Sequence, residues 1–185
     1  MNKTILDRYP RAEDGTYVID ISAGRANDLY DDFDRKTPYR KKELDQHLVE
    51  YISDSANELN KKEFIIRFSL SEPPSDELQE RITTSVISYF EYIKTLEINE
   101  LKRAIRSSLI YLLLGIAILF LSVWVNHQLD DDTGVITKVF AEGLTVAAWV
   151  SMWEALATFI INWPPYSRKI KIHDRIANAA IQFAK

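Results

Sequence analysis

Apolar residues are distributed unevenly along this sequence. The run SSLIYLLLGIAILFLSVWV, residues 107–125, contains no charged residue, and a second apolar run at residues 143–163 has Glu154 as its one charge. A helix needs about 20 mostly apolar residues to cross the hydrocarbon core of a bilayer. The pattern therefore predicts two membrane spans, about 107–126 and 143–163, rather than core helices of a soluble protein.

Shorter apolar patterns precede the first span. The segments TYVIDIS (16–22) and FIIRFSL (64–70) alternate with the period of strands, and residues 40–60 between them have the spacing of an amphipathic helix. A strand, a helix and a strand in this order predict parallel pairing through a right-handed crossover. Such a sheet is small, so we expect AAIQFAK (179–185) to add a third strand.

A second helix is expected after residue 75. Ser75 suits an N-cap, and the acidic Asp76 and Glu77 suit a first helical turn. No helix breaker follows before Val125, so one helix of about fifty residues, roughly 75 Å long, is expected to continue into the first span. A kink near Asn99 is the alternative. The pair 164–165, two prolines, is expected to end the second span.

These elements predict an α+β membrane protein. A cytoplasmic β-α-β-α domain (1–100) precedes a two-helix transmembrane hairpin (101–166) and a cytoplasmic tail (167–185) that packs on the first domain. Basic residues flank both outer ends of the hairpin, which favours the cytoplasmic side, whereas the connecting loop is net acidic. The flanking residues are Lys102, Arg103 and Arg106, then Arg168, Lys169, Lys171 and Arg175. We therefore expect the inner membrane, with both termini cytoplasmic.

Composition excludes several classes of protein. The chain has no cysteine, which excludes disulfides and thiolate metal sites, and its net charge of -4 argues against general nucleic-acid binding. The start has no apolar signal segment, so the first half should stay where it is made. Around His47, His127 and His173 there is no nucleophile–base or metal-ligand spacing, so we expect neither an enzyme nor a cofactor.

Glu154 is the main candidate functional residue. A charge at mid-membrane depth costs a few kcal/mol and normally faces protein or water. It borders a small and polar stripe that includes Ser151, Thr158 and Asn162 together with Ala148 and Ala155. The first span has a matching small track at Ser108, Gly115 and Ser122, along which the hairpin is expected to pack. Either Glu154 lines a cation-selective pore, or a protonated or hydrogen-bonded Glu154 holds helices together.

Two charged segments are weaker candidates. A basic run precedes the first amphipathic helix, and with Arg25, in the loop after the first strand, it suits an anionic ligand such as a nucleotide or lipid headgroup. An ordinary solvated loop is the alternative. The run comprises Arg35, Lys36, Arg40, Lys41 and Lys42. In the connecting loop, His127 together with Asp130, Asp131 and Asp132 suits a weakly held divalent ion or, alternatively, a solvated turn.

The segment EGLTVAAWVSMWEALATFIINWPPYSRKIKIHDRIA, residues 142–177, resembles a family of small bacterial two-span proteins. The shared features are the Glu142-Gly143 pair, the tryptophan-rich middle and the Arg175-Ile176-Ala177 tail, whereas some relatives carry arginine in place of Glu154. The resemblance implies a β-α-β-α cytoplasmic half and no assigned activity. It therefore supports topology rather than chemistry.

Three functions remain open. The first is a homo-oligomer in the bilayer that conducts cations and is gated or assembled through its cytoplasmic domain. The second is a non-conducting anchor or scaffold that recruits a cytoplasmic protein partner. The third is a membrane effector of a defence system, controlled by a ligand.

Overall fold

The computed structural model describes residues 3–31, 38, 42–128 and 135–184. The strands are β1 (Tyr17–Ala23), β2 (Phe64–Leu70) and β3 (Ala180–Phe183). The helices are α1 (Lys3–Leu6), α2 (Gln46–Glu58), α3 (Asp76–Gln128), α4 (Val135–Ala157) and α5 (Trp163–Ala177), with a 3-10 turn at Ala26–Leu29 and a π-helical turn at Thr158–Asn162.

The chain divides into two compact units. Met1–Leu96 and Lys169–Lys185 form the first, which we call the α/β unit, and Glu97–Arg168 form the second, which we call the hairpin unit. Helix α3 is continuous from Asp76 to Gln128. Among the described residues, two helical stretches are long and apolar enough to cross a membrane: Asp76–Gln128 and Val135–Ala177.

The sheet of the α/β unit is parallel. Its order is β1-β2-β3, with Ile19 opposite Ile66 and Ile66 opposite Ile181. This confirms the parallel pairing of the first two strands and the third strand contributed by AAIQFAK. The third strand joins residues far apart in sequence, because β3 lies beyond both long helices along the chain.

Helix starts in this unit follow local capping chemistry. The Asp45 carboxylate accepts a hydrogen bond from the Leu48 amide at 3.1 Å, so α2 begins at Gln46, later than the start of its apolar pattern. The Ser75 hydroxyl accepts from the Leu78 amide at 3.4 Å, which agrees with the predicted cap of α3.

The core of the α/β unit lies on one face of the sheet. Alternate strand residues point to this face, where helices α2, α3 and α5 cover them. The fully buried members include Ile19, Ile66 and Phe68 of the sheet, with Ile52, Ile82, Phe90 and Ile176 of the helices. On the opposite face, Arg67 donates two hydrogen bonds to the Asp20 carboxylate, at 2.6 and 2.9 Å.

The ends of the second apolar helix differ from the prediction. Helix α4 begins at Val135, eight residues before the expected span, because a helix can continue past its apolar segment when no residue breaks it. The two prolines also do not end it. A π-helical turn at Thr158–Asn162 precedes them, and α5 begins at Trp163, so Pro164 and Pro165 occupy its first turn. Both prolines lack an amide donor, so the carbonyl oxygens one turn before them receive no backbone hydrogen bond from these positions.

Candidate functional site in the hairpin

The two helices of the hairpin unit pack along small residues. Ser108, Gly115 and Ser122 are buried on α3, and Ala141, Ala148 and Ala155 are buried on α4, each set spaced by seven residues. We call these six positions the seam. A seven-residue period keeps one face of each helix against its neighbour. The predicted tracks therefore meet, and the alanine track extends to Ala141, which the sequence interpretation missed.

Gly115 is the closest point of approach within the seam. A Cβ atom at this position would lie 2.8 Å from Cγ of Met152 and 3.1 Å from the carbonyl oxygen of Ala148. Contacts under 3.0 Å are repulsive, so only glycine fits here without movement of α4. Close backbone approach of this kind is how small residues stabilise helix pairs in membranes.

A polar cluster closes one end of the seam. The hydroxyls of Ser122 and Thr145 lie 2.6 Å apart, and the Ser122 hydroxyl also lies 3.3 Å from the Ala141 carbonyl oxygen. The Asn126 amide donates to the Ser122 carbonyl oxygen at 3.0 Å. These polar groups therefore bond to one another between the two helices and do not need water as a partner at this point. Sequence spacing indicated Ser122 but not its partners.

Glu154 lies outside the seam. It is exposed, and one residue corresponds to about 100° around a helix, so it projects to one flank of the buried Ala155. Within the described residues its carboxylate makes no hydrogen bond or ion pair, while its backbone carbonyl accepts from the Thr158 hydroxyl at 3.2 Å. The carboxylate therefore faces whatever surrounds the hairpin.

The predicted polar stripe divides between two environments. Ala148 and Ala155 belong to the seam, whereas Ser151 and Thr158 are partly exposed beside it and Asn162 is exposed. The Ser151 hydroxyl donates to the Ala147 carbonyl oxygen at 2.9 Å, and that of Thr158 to the Glu154 carbonyl. Ser151, Glu154 and Thr158, with Ala147, form what we call the Glu154 flank. Apart from the Glu154 carboxylate, the side chains of this flank are small, and both hydroxyls bond to carbonyl oxygens of their own helix.

The opposite flank of α4 is aromatic and apolar. A groove of about 220 Å³ is lined by Leu112 of α3 and by Trp149, Met152, Trp153, Ala155, Leu156 and Phe159. Trp149 and Trp153 are 63% and 70% exposed. The two flanks thus differ in chemistry. The groove flank carries large aromatic and apolar side chains, whereas the Glu154 flank carries small side chains and one carboxylate.

The α/β unit has a cavity at the carboxyl ends of β1 and β2. Its volume is about 290 Å³, and its lining includes Gly24, Arg25, Asn27, Glu72 and Ser75. This is the edge where open α/β sheets bind ligands. The charges of Arg25 and Glu72 are opposite, and the first turn of α3 carries Asp76 and Glu77, so the described lining is not strongly basic.

Of the predicted basic run, the structure describes Lys42. Arg35, Lys36, Arg40 and Lys41 lie outside the described residues. Lys42 is 6% exposed, and its Nζ lies 4.5 Å from the centre of the Tyr30 ring, a cation–π contact. The N-terminus of α2 already has the Asp45 carboxylate as its cap. Anion binding by this run therefore stays a prediction, with Lys42 serving the fold.

The predicted metal site is only partly described. His127 is exposed near the end of α3, and Asp130, Asp131 and Asp132 lie outside the described residues. Among the residues that are described, no group of three or more His, Asp or Glu side chains is placed to hold a metal ion. His173, in the α/β unit, packs against Phe90 with ring centres 6.0 Å apart.

Arg175 has a structural role that the sequence did not reveal. Its guanidinium donates to the carbonyl oxygens of Ala56 at 3.0 Å and Lys62 at 2.6 Å, and it lies 4.9 Å from the centre of the Phe64 ring. Burial lowers the pKa of Arg175 from its ordinary value. The residue therefore fastens α5 to the end of α2 and to the loop before β2.

Comparison with family models, with curated proteins and with solved structures finds no match to this chain. The resemblance to two-span bacterial proteins therefore stays a prediction, and function rests on the residues described above.

Proposed function

We propose that this chain is an integral membrane protein whose hairpin unit crosses the bilayer twice. The distribution of side chains supports this. The hairpin buries Ser, Gly and Ala, while large apolar side chains such as Leu113, Phe120 and Trp124 are 60%, 73% and 62% exposed. In water such a surface would be a large aggregation-prone patch, whereas lipid solvates it. The basic residues at both outer ends of the hairpin favour cytoplasmic termini and an inner-membrane location.

Copies of the hairpin associate through the Glu154 flank and form a cation-conducting path. The observation that carries this proposal is the carboxylate of Glu154, which lies on the outer surface of a hairpin whose seam is closed. An acid at this depth is costly against lipid, so another helix or water must meet it. The small neighbours Ala147, Ser151 and Thr158 allow a helix of a second copy to come close. A ring of carboxylates would then attract cations.

Ion flux into liposomes tests conduction. The purified full-length chain should carry monovalent cations, and Glu154→Gln should reduce that flux about tenfold or more, because it removes the charge but keeps the shape. Glu142→Gln is the matched control, since Glu142 is an exposed acid near the head of α4. Absence of flux from the unaltered chain would refute conduction, as would equal flux through the unaltered chain and Glu154→Gln.

A non-conducting scaffold is the second candidate, and one observation favours it. The hydroxyls of Ser151 and Thr158 donate to carbonyls of their own helix, so these residues do not require a watery lining. Glu154 would then be protonated and hydrogen-bonded between helices of adjacent copies. In this case Glu154→Gln should change the oligomer's resistance to detergent while neither protein conducts, and the α/β unit would recruit a cytoplasmic partner.

A further inference from the structure

The sheet of the α/β unit has two edges that are treated differently. Along the outer edge of β1, the Val18 amide donates to the Pro10 carbonyl oxygen at 2.9 Å, and Arg11 forms a bridge with Tyr17. The N-terminal segment therefore covers this edge. β3 forms the other edge of the sheet, because the strand order is β1-β2-β3.

The pairing of β3 with β2 shows which backbone groups point outward. The Ala184 amide donates inward to the Phe68 carbonyl oxygen at 2.8 Å. Inward and outward groups alternate along a strand, so Gln182 also bonds to β2, whereas Ile181 and Phe183 present their N–H and C=O groups to the outside. Within the described residues nothing accepts or donates hydrogen bonds on that outer side.

The β3 edge has few of the usual protections against association. Natural sheets guard exposed edges with very short strands, lysine, proline, bulges or a covering segment. Of these protections, β3 has its shortness, at four residues. The sequence of β3 is AIQF, which contains neither charge nor proline, and its pairing with β2 has no bulge. Because the same sheet has a covered edge at β1, the open and uncharged edge at β3 indicates an occupant.

We propose that the occupant is β3 of a second copy, in antiparallel pairing about a two-fold axis at Gln182. In this register Ile181 of each copy faces Phe183 of the other and exchanges both backbone hydrogen bonds with it. Gln182 faces its own counterpart, with its exposed side chain on the sheet face opposite the core. The two sheets become one, with a β1 strand at each end.

Self-pairing is favoured over other arrangements of copies. Adding β3 of one copy to β1 of the next would build an open chain, but the N-terminal segment occupies the β1 edge. A two-fold pairing uses the same surface twice and closes on itself. The inference concerns the α/β unit alone and does not depend on Glu154 or on conduction.

A single cysteine tests the pairing, because the chain has none of its own. Facing Cα atoms in a non-hydrogen-bonded antiparallel pair are about 4.5 Å apart, within the range that a disulfide spans. The full-length Gln182→Cys variant in detergent should form disulfide-linked dimers under mild oxidation, and combining it with Glu154→Gln should leave the yield unchanged. Ser22→Cys is the control, since Ser22 is exposed at the far strand of the same face and should remain unlinked.

Amide hydrogen exchange of the unaltered full-length chain provides a second measurement. The amides of Ile181 and Phe183 should be protected at least about tenfold more than in Gln182→Lys, which places two like charges across the axis. Gln182→Thr, a neutral strand-forming substitution, should keep the protection. Equal linking of the two cysteine variants, absence of linking in both, or fast exchange of the Ile181 and Phe183 amides in the unaltered chain would each overturn the proposal.

Discussion

The α/β unit and the hairpin unit bury opposite kinds of residue. The α/β unit encloses Phe68, Phe90 and Ile66 completely, whereas the hairpin unit encloses Ser108, Gly115 and Ala148 and leaves its large apolar side chains exposed. In the first unit, removal of apolar area from water stabilises the fold. In the second, helices are held by close backbone approach and by the Ser122–Thr145 contact. Burial of a large apolar side chain therefore stabilises the α/β unit, whereas burial of a small residue lets the two helices of the hairpin unit approach closely. Mutations can test this difference.

The largest effect is expected from removal of a phenyl ring. Phe68→Ala should lower the free energy of unfolding of the α/β unit by about 3–5 kcal/mol, since Phe68 is fully buried and stacks on Phe183 with ring centres 5.8 Å apart. The matched change Phe120→Ala, at a position that is 73% exposed in the hairpin unit, should cost much less. Denaturant titration of both variants in detergent, followed by near-ultraviolet circular dichroism, checks the comparison. Similar losses would mean that the hairpin's apolar surface is buried in the assembled protein.

Arg175 should give the next largest effect. Arg175→Met retains an apolar stem but leaves the carbonyls of Ala56 and Lys62 without their charged donor, and we expect a loss of about 1.5–3 kcal/mol in the free energy of unfolding. Lys171→Met, an exposed basic residue on the same helix, is the control and should be nearly neutral. A neutral Arg175→Met would show that α5 stays in place without this contact.

The smallest of the three effects should come from one methyl group in the seam. Gly115→Ala forces the new Cβ against Met152, so the hairpin should lose about 1–3 kcal/mol of stability. Gly143→Ala adds the same atom to α4 where nothing lies within 4 Å, and should change stability little. Thermal unfolding in detergent micelles compares the two. If Gly115→Ala were as stable as Gly143→Ala, the helices would pack less closely than the seam geometry requires.

The sequence by itself determined the elements whose signals are local. Alternation located β1 and β2, the uncharged run located the first apolar helix, and the seven-residue spacing of Ser108, Gly115 and Ser122 located one side of the seam. Each of these signals depends on residues within one element. The limits of helices were less predictable: Asp45 moved the start of α2, and a π-helical turn allowed α5 to contain Pro164 and Pro165.

Only the tertiary structure decided which distant residues meet. It gave Arg175 its carbonyl partners on α2 and the loop before β2, paired Ser122 with Thr145, placed Lys42 over Tyr30, and left Glu154 on a flank outside the seam. It also made β3 an edge strand whose outer groups have no described partner. Such pairings depend on the relative placement of elements far apart along the chain, and no spacing within a single segment encodes them.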